Sequence, residues 1–199
     1  PTSRPGTRSP SSPGGSVDRP VSPPLFALGA GARFVARAID TAQKQLVDVL
    51  KRAHAHRGTS LVEIFQNCIV YNDEVFAAFT EKSVAADAQL HVEHGQPLLF
   101  GADRRSGLRL KAAGLALETV RIGEGGVTEA DILVHDETSR PLATMLAALT
   151  MPVALGVLYC DPAEPYDAAL QRIDDEQVVP TTGELNALLR RGDTWTVAG

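Results

Sequence analysis

The feature that most constrains the fold is a strand, a helix and a second strand that follow one another along the chain. Residues 34–39 are apolar apart from Arg37 and predict a strand, and residues 42–53 carry apolar side chains at helical spacing. Residues 60–66 are then apolar on both faces apart from Glu63. A strand that is apolar on both faces is typical of a parallel sheet covered by helices on each side. The pattern therefore predicts an α/β fold.

The ends of this helix have candidate stop and start signals. Asp40 or Thr41 can cap its first turn with a side-chain oxygen. Gly58 can end it, because glycine readily adopts the left-handed conformation that follows many helices.

The rest of the chain divides into an insertion, a late helix and strand, and a tail. Short apolar runs alternate with glycine and charge over residues 89–138, which predicts a small antiparallel insertion. A helix near residues 141–149 and a buried strand over residues 153–159 complete a domain spanning residues 25–165. Residues 166–199 predict a helical tail in which Trp195 makes a packing contact.

The first 24 residues have a different composition. Proline, serine and glycine account for 16 of them, and seven of the 13 prolines lie there. Such a segment buries too little apolar surface to offset the entropy of ordering it. Two readings stay open: a solvated arm, or an extended segment that packs on a partner.

Composition excludes several classes of function. The net charge of −5 argues against general affinity for nucleic acid. No apolar stretch approaches the roughly 20 residues that span a membrane. Two cysteines are too few for a disulfide scaffold and suit a reducing cytoplasm. We therefore expect a cytoplasmic protein without nucleic-acid or membrane partners.

Cys68 is the most informative candidate for chemistry. It lies just past the carboxyl end of the second predicted strand, where ligands of open α/β sheets bind. Its thiol could be a nucleophile, a metal ligand or an inert core group. A complete iron–sulfur site needs about four thiolates, so any cluster requires ligands from outside this sequence. Cys160, which follows a buried run, is interpreted as a core thiol or an incidental loop residue.

Other motifs carry weaker signals. Gly29-Ala30-Gly31 precedes a strand and lacks the third glycine of a dinucleotide-binding loop, so we interpret it as flexible backbone. The histidines do not converge at the spacing that a zinc site needs; they are His54, His56, His91, His94 and His135.

Several segments resemble the β subunit of 2-oxoacid:ferredoxin oxidoreductases, especially the 2-oxoglutarate branch. Residues 16–20 resemble the family's Gly-Ser-Ile-Asp-Arg-Pro segment, and residues 27–37 its Leu-Gly-Ala-Gly-Ala-Thr-Phe-Val-Ala-Arg block. Residues 58–73 resemble its cysteine-bearing strand and turn, residues 153–159 its late apolar strand, and residues 133–138 its insertion. The similarity covers nearly the whole chain and is specific in the middle blocks.

This resemblance implies a thiamine-diphosphate-binding, Rossmann-like domain whose parallel sheet is incomplete here. The family decarboxylates a 2-oxoacid oxidatively with CoA to the acyl-CoA and passes the electrons through iron–sulfur clusters to ferredoxin. Its β subunit works with an α subunit, and Cys68 stands at the position of the fourth ligand of a 4Fe-4S cluster. No catalytic residue of this chain is implied.

Two family motifs have no counterpart in these 199 residues. They are the three amino-terminal cysteines that complete the cluster and the Gly-Asp-Gly-Asp motif that holds magnesium and the thiamine diphosphate. We therefore expect a carboxyl-terminal portion of a longer subunit, inactive alone. Residues 67–72 also lack the prolines of the family's Pro-Cys-Pro-Thr-Tyr-Asn, although Cys68 and the Tyr-Asn pair remain.

Three arginines and two rival functions stay open. Arg19, Arg33 and Arg37 could contact a partner subunit or polar cofactor groups, or could form ordinary salt bridges. The alternative to the enzyme subunit is a non-catalytic, Rossmann-like module kept for subunit assembly. A third hypothesis is a hydrolase with Cys68 as its nucleophile.

Overall fold

The structure, a computed structural model, describes residues 4–70, 72–177, 182–193, 195 and 197. It divides into two units, Pro1–Ala163 and Glu164–Gly199. The first unit contains seven strands, five α-helices and a short 3₁₀ helix (Glu129–Asp131) among its described residues. The strands are β1 (Phe34–Ile39), β2 (Ser60–Phe65), β3 (Gln89–Val92), β4 (Leu99–Phe100), β5 (Ser106–Leu110), β6 (Leu117–Arg121) and β7 (Val153–Cys160). The helices are α1 (Pro23–Gly29), α2 (Gln43–Ala55), α3 (Ala77–Thr80), α4 (Ala85–Ala88) and α5 (Arg140–Ala148).

The central sheet has four strands in the order β2-β1-β7-β3. β1 pairs with β2 in parallel, from Phe34 opposite Ser60 to Ile39 opposite Phe65, and β3 pairs with β7 in parallel. The middle pair, β1 and β7, is antiparallel. The second sheet, β4-β5-β6, is antiparallel. The predicted α/β class, with a mostly parallel sheet and a small antiparallel one, is confirmed.

The core lies on both faces of β1, whose six residues are all buried. On one face Val35 packs with residues of α1, α5 and the small sheet, including Leu28, Leu146 and Leu108. On the other face Phe34 and Ala36 pack with Val49 of α2. This cover on both faces explains why β7 is a continuous apolar run and why β1 is apolar apart from Arg37.

Several boundaries differ from the sequence-based expectations. β3 belongs to the central sheet although it lies within the range predicted for the insertion, because Leu90 and Val92 point into the core. Residues 132–134 are apolar and lie within the predicted antiparallel insertion, but they form no strand: a 3₁₀ helix precedes them, and Val134 forms an isolated bridge to Pro97.

The predicted cap of α2 is also wrong. The helix begins after Ala42, with no side-chain cap. Asp40 is occupied elsewhere: its backbone N–H donates to the Phe65 carbonyl, and its carboxylate accepts the backbone N–H of Asn67. The residue that seemed placed to cap the helix therefore connects the carboxyl ends of β1 and β2.

Residues 23–29 form a helix that was not predicted, because the proline-rich composition of the first 24 residues favours an extended segment. α1 carries proline in its first turn, where the missing N–H costs nothing. Gly31 has a φ of +88°, a left-handed conformation that ends the helix and favours glycine. The Gly29-Ala30-Gly31 segment is therefore the end of a helix rather than a nucleotide-binding loop.

The second unit contains α6 (Tyr166–Glu176) and α7 (Thr182–Leu189). Neither helix has a buried residue. Trp195 is 86% exposed, so the expected packing contact is wrong. Among the described residues, no helix is long and apolar enough to cross a membrane.

Candidate functional site

Cys68 lies three residues beyond the carboxyl end of β2, in a short turn. Its carbonyl oxygen accepts the backbone N–H of Asn72 at 2.9 Å, which closes the turn. Cys68 is exposed, and so are its neighbours Ile69 and Val70, at 78% and 75%. Tyr71, part of the Tyr-Asn pair of the sequence comparison, lies outside the described residues. The turn thus places a cysteine, followed by two apolar side chains, at the surface.

Asn67 holds this turn in place. Its side-chain Nδ2 donates to Asp73 Oδ1 at 2.7 Å, and its Oδ1 accepts the backbone N–H of Glu74 at 3.0 Å. Its own backbone N–H donates to Asp40 Oδ2 at 3.3 Å. One side chain therefore ties the start of the turn to its end, and the backbone ties both to the end of β1.

An aromatic cluster lies beside Asn67, the residue that begins the turn. Phe65, Phe76 and Phe79 lie with ring centroids 5.0 to 5.6 Å apart. Tilted contacts at these distances are favourable for aromatic rings. A cavity of about 270 Å³ opens beside the cluster and is lined in part by Asp40, Asn67 and Phe76. The residues that precede and follow the Cys68 turn are therefore packed against each other at the end of β2.

The described residues around Cys68 could provide one ligand of an iron–sulfur cluster, Cys68 itself, and no second ligand. Within the part of the chain that the structure describes, no three histidine, cysteine, aspartate or glutamate residues are placed to hold a metal ion. Cys160 lies opposite Phe34, at the amino end of β1, whereas Cys68 follows the carboxyl end of the parallel neighbour β2. At about 3.3 Å per residue, the strand alone separates the two ends by roughly 17 Å. Cys160 therefore cannot ligate the same group as Cys68.

Cys160 has a different environment, which the sequence did not reveal. Arg52 of α2 binds both carboxylate oxygens of Glu137, at 2.8 and 3.0 Å, and this pair lies beside the thiol. Burial raises the pKa of the Cys160 thiol, the Glu137 carboxylate raises it further, and the Arg52 guanidinium opposes both. A raised pKa keeps the thiol protonated near neutral pH, as suits an inert, partly buried cysteine.

The histidines do not gather around Cys68. The His56 ring packs on Phe34, at the amino end of β1 and therefore at the opposite end of the strands from Cys68. His94 contacts the Asp136–Glu137 segment at that same end. His135 is buried, with Nε2 bonded to the Val157 carbonyl at 2.9 Å. These positions provide no base for the hydrolase hypothesis.

The three singled-out arginines have different roles. Arg37 is buried, and its Nε donates to Glu63 Oε2 at 2.6 Å. Arg33 forms an exposed ion pair with Asp161 at 2.6 Å. Arg19 is exposed. Arg37 is therefore a structural residue within the sheet and is not available to a partner.

A second cavity, of about 830 Å³, lies between α2 and the β3–β7 strands. Its lining includes Gln45, whose two side-chain amide atoms are buried without a hydrogen-bond partner among the described residues. Nothing in the sequence pattern pointed to this cavity, because its walls come from four separated segments of the chain.

Comparison with solved structures shows what the fold is similar to. The fold resembles the 2-oxoglutarate:ferredoxin oxidoreductase of Magnetococcus marinus, solved with 2-oxoglutarate, coenzyme A and succinyl-CoA bound. The TM-score is 0.62 and the identity 22%, and the match covers 94% of this chain and 50% of that chain. No family model matches the sequence. This likeness shows that the chain has the α/β fold of about half of that enzyme chain.

Sequence relatives narrow this class. The chain is homologous to β subunits of 2-oxoacid:ferredoxin oxidoreductases, including subunit β of enzyme 1 of Aeropyrum pernix, which is 35% identical over 40% of this chain and 25% of its own length. It matches the 2-oxoglutarate oxidoreductase subunit KorB of Mycobacterium tuberculosis at 35% identity over 99% of its length. It spans 54% of KorB, about half of that relative. The predicted resemblance is confirmed.

Proposed function

We propose that this chain is part of the β subunit of a 2-oxoglutarate:ferredoxin oxidoreductase. Such an enzyme decarboxylates the 2-oxoacid oxidatively with CoA to the acyl-CoA, and the electrons pass through an iron–sulfur cluster to ferredoxin. The observation that carries the proposal is the 35% identity to KorB over 99% of the chain. The non-catalytic assembly module has no comparable support.

We propose Cys68 as one ligand of a 4Fe-4S cluster. Cys68 is exposed, lies past the end of a strand and follows the packed aromatic residue Phe65. Such a position suits a thiolate that shares a cluster with ligands from another part of the protein. The flanking Ile69 and Val70 would exclude water from one side of the cluster once covered. Burial and hydrogen bonds around cluster sulfurs tune the reduction potential, so this cover would matter to function.

The remaining cofactors would be held outside this stretch. The Gly-Asp-Gly-Asp motif does not occur in the 199 residues, so thiamine diphosphate and magnesium would be bound elsewhere in a complete enzyme. Thiamine diphosphate supplies the ylid that attacks the 2-oxoacid carbonyl. The chain's own contribution would be the position of Cys68, fixed by Asn67 and by the aromatic cluster.

The proposed partners are an α subunit of the same enzyme and ferredoxin, with CoA and the 2-oxoacid as substrates. We also propose a cytoplasmic location. The separation of Cys68 and Cys160 far exceeds the roughly 7 Å between Cα atoms that a disulfide tolerates, so these cysteines do not require an oxidising compartment.

The test is substitution of Cys68 in the complete enzyme, assembled from full-length α and β subunits. Cys68→Ser should lower the bound iron by about one cluster per β subunit and abolish 2-oxoglutarate-dependent reduction of ferredoxin. Cys160→Ser is the matched control and should retain both. Unchanged iron content and ferredoxin reduction in Cys68→Ser would contradict the ligand assignment.

A further inference from the structure

The cavity between α2 and the β3–β7 strands has the properties of a small-molecule site. Its volume of about 830 Å³ lies within the roughly 300–1,000 Å³ that is common for ligand pockets. Part of its lining is apolar and buried, with Val49, Leu155 and Val157 among these residues. Polar and charged side chains form much of the remainder. An apolar surface with a few polar groups is the usual composition of a pocket that binds an organic molecule.

The most unusual of these polar groups is the Gln45 side-chain amide. Its Nε2 and Oε1 atoms are both buried, and neither has a hydrogen-bond partner among the described residues. Burial of a polar group without a partner costs free energy, so such groups point to a missing partner. Because Gln45 lines the cavity, a bound molecule can reach it. The amide places a donor beside an acceptor, and its best partner is a planar group with the complementary pair.

The edge of adenine presents this complementary pair. Its N7 atom accepts and its N6 amino group donates, and a glutamine side chain can bind both at once. The flat face of a nucleobase packs well on apolar side chains. Val49, Leu155 and Val157 provide such a surface in the same cavity. The amide and the apolar lining therefore both suit a purine base.

Two cations line the cavity from different parts of the chain. Lys44 lies in the first turn of α2, and Arg104 lies in the segment between β4 and β5. Neither takes part in an ion pair within the described part of the chain. Ammonium and guanidinium groups bind phosphate oxygens. α2 also begins at this cavity with no side-chain cap, so the free N–H groups of its first turn favour an anion there.

Two carboxylates complete the lining. Asp48 of α2 and Glu93, which follows β3, face the same cavity and form no ion pair among the described residues. Aspartate and glutamate are the residues that commonly accept hydrogen bonds from ribose hydroxyls. Base, sugar and phosphate therefore each have a suitable partner in one cavity.

We propose that this cavity binds an adenine nucleotide, with Gln45 on the edge of the base and with Lys44 and Arg104 on the phosphates. The proposal goes beyond the proposed function and does not rest on it, because none of these residues belongs to the Cys68 turn. Adenosine phosphate is also part of CoA, so CoA is one competing occupant. A further segment of the complete protein is the other.

Binding of ADP to the protein expressed from its complete reading frame provides the test, measured by calorimetry. Gln45→Leu should weaken ADP binding about tenfold or more. Lys44→Gln should weaken ADP binding and leave adenosine binding unchanged, because adenosine has no phosphate. Gln177→Leu and Lys82→Gln, two exposed positions outside the cavity, are the matched controls and should bind ADP like the parent. A parent protein that does not bind ADP, or equal affinity in Gln45→Leu, would overturn the proposal.

Two further measurements distinguish the competing occupants. Without nucleotide, Gln45→Leu should be at least as stable in urea as the parent, because the substitution removes a buried polar group that has no partner. A loss of stability in Gln45→Leu would show that another segment already bonds to the amide, and it would overturn the proposal. Competition of CoA with ADP is measured last. If CoA displaces ADP and Gln45→Leu weakens CoA binding equally, the cavity belongs to the CoA substrate and the proposal of a separate nucleotide site is overturned.

Discussion

Arg37 and Glu63 face each other across two parallel strands, with Arg37 Nε 2.6 Å from Glu63 Oε2. Their side chains are 6% and 13% exposed. Arg37 also donates to the Ala147 carbonyl at 3.3 Å and lies over the Phe65 ring, 5.4 Å from its centroid. The Arg37 guanidinium, on β1, therefore contacts β2, α5 and Phe65 of the aromatic cluster.

Removal of the negative partner should destabilise the chain strongly. Glu63→Gln leaves the Arg37 charge buried and unpaired, which should cost about 3 kcal/mol or more of the free energy of unfolding. Urea denaturation of the 199-residue chain measures this loss. The control is Glu118→Gln, which breaks a cross-strand pair with Arg109 whose side chains are 30% and 39% exposed. It should cost about 1 kcal/mol or less. Equal losses would contradict the importance of burial.

Truncation of Asn67 should loosen the turn that carries Cys68. Asn67→Ala removes the bonds to Asp73 and to the Glu74 N–H, and each is worth about 1 kcal/mol. We expect faster hydrogen exchange over residues 68–74 and, in the complete enzyme, weaker iron retention. Gln66→Ala changes the exposed neighbour and serves as control. If the amides of residues 68–74 exchange as slowly in Asn67→Ala as in the parent chain, the backbone alone sets the shape of the turn.

Stability should fall as the pH falls below about 6.5, the ordinary histidine value. Burial lowers the pKa of His135, while the Val157 carbonyl and the Glu137 and Asp136 carboxylates oppose this shift and His94 adds to it. The unfolded chain then binds a proton in a range where the folded chain does not, so the free energy of unfolding rises with pH in that window.

Unfolding in urea at pH 5.5, 6.5 and 7.5 measures this slope. His135→Gln should flatten it, because the variant has no imidazole at that position. Burial also lowers the pKa of His91, so His91→Gln is run alongside to separate the two contributions. An unchanged slope in His135→Gln would assign the pH dependence to other groups.

The 199-residue chain should bind neither a stable cluster nor thiamine diphosphate. Its described residues place no group of three metal-binding side chains together, and Cys160 lies at the opposite end of the strands from Cys68. Iron and sulfide analysis after reconstitution, with calorimetry for thiamine diphosphate, tests this expectation. Four iron atoms bound per chain would contradict the one-ligand interpretation.

The sequence predicted the elements that depend on local pattern. β1, β2 and β7 lie close to their expected bounds because β7 is a continuous apolar run and because one charged residue each, Arg37 and Glu63, interrupts the runs of β1 and β2. The contacts that decide the remaining features join residues far apart in the chain: Asp40 with Asn67, and Arg52 with Glu137, 85 residues away. No local period records such partners. The sequence therefore could not show that Asp40 contacts Asn67 instead of capping α2, nor which residues surround Cys160. The place of Cys68 after β2, in contrast, followed from the strand pattern alone.

The two cysteines lie near opposite ends of β1, so they can be used to measure a distance along the sheet. Cys68 is exposed and Cys160 is partly so, and β1 spans the distance between them. Spin labels at both positions would report a single fixed spacing in the 199-residue chain. Any change of that spacing when further subunits are added would measure how far assembly bends the sheet.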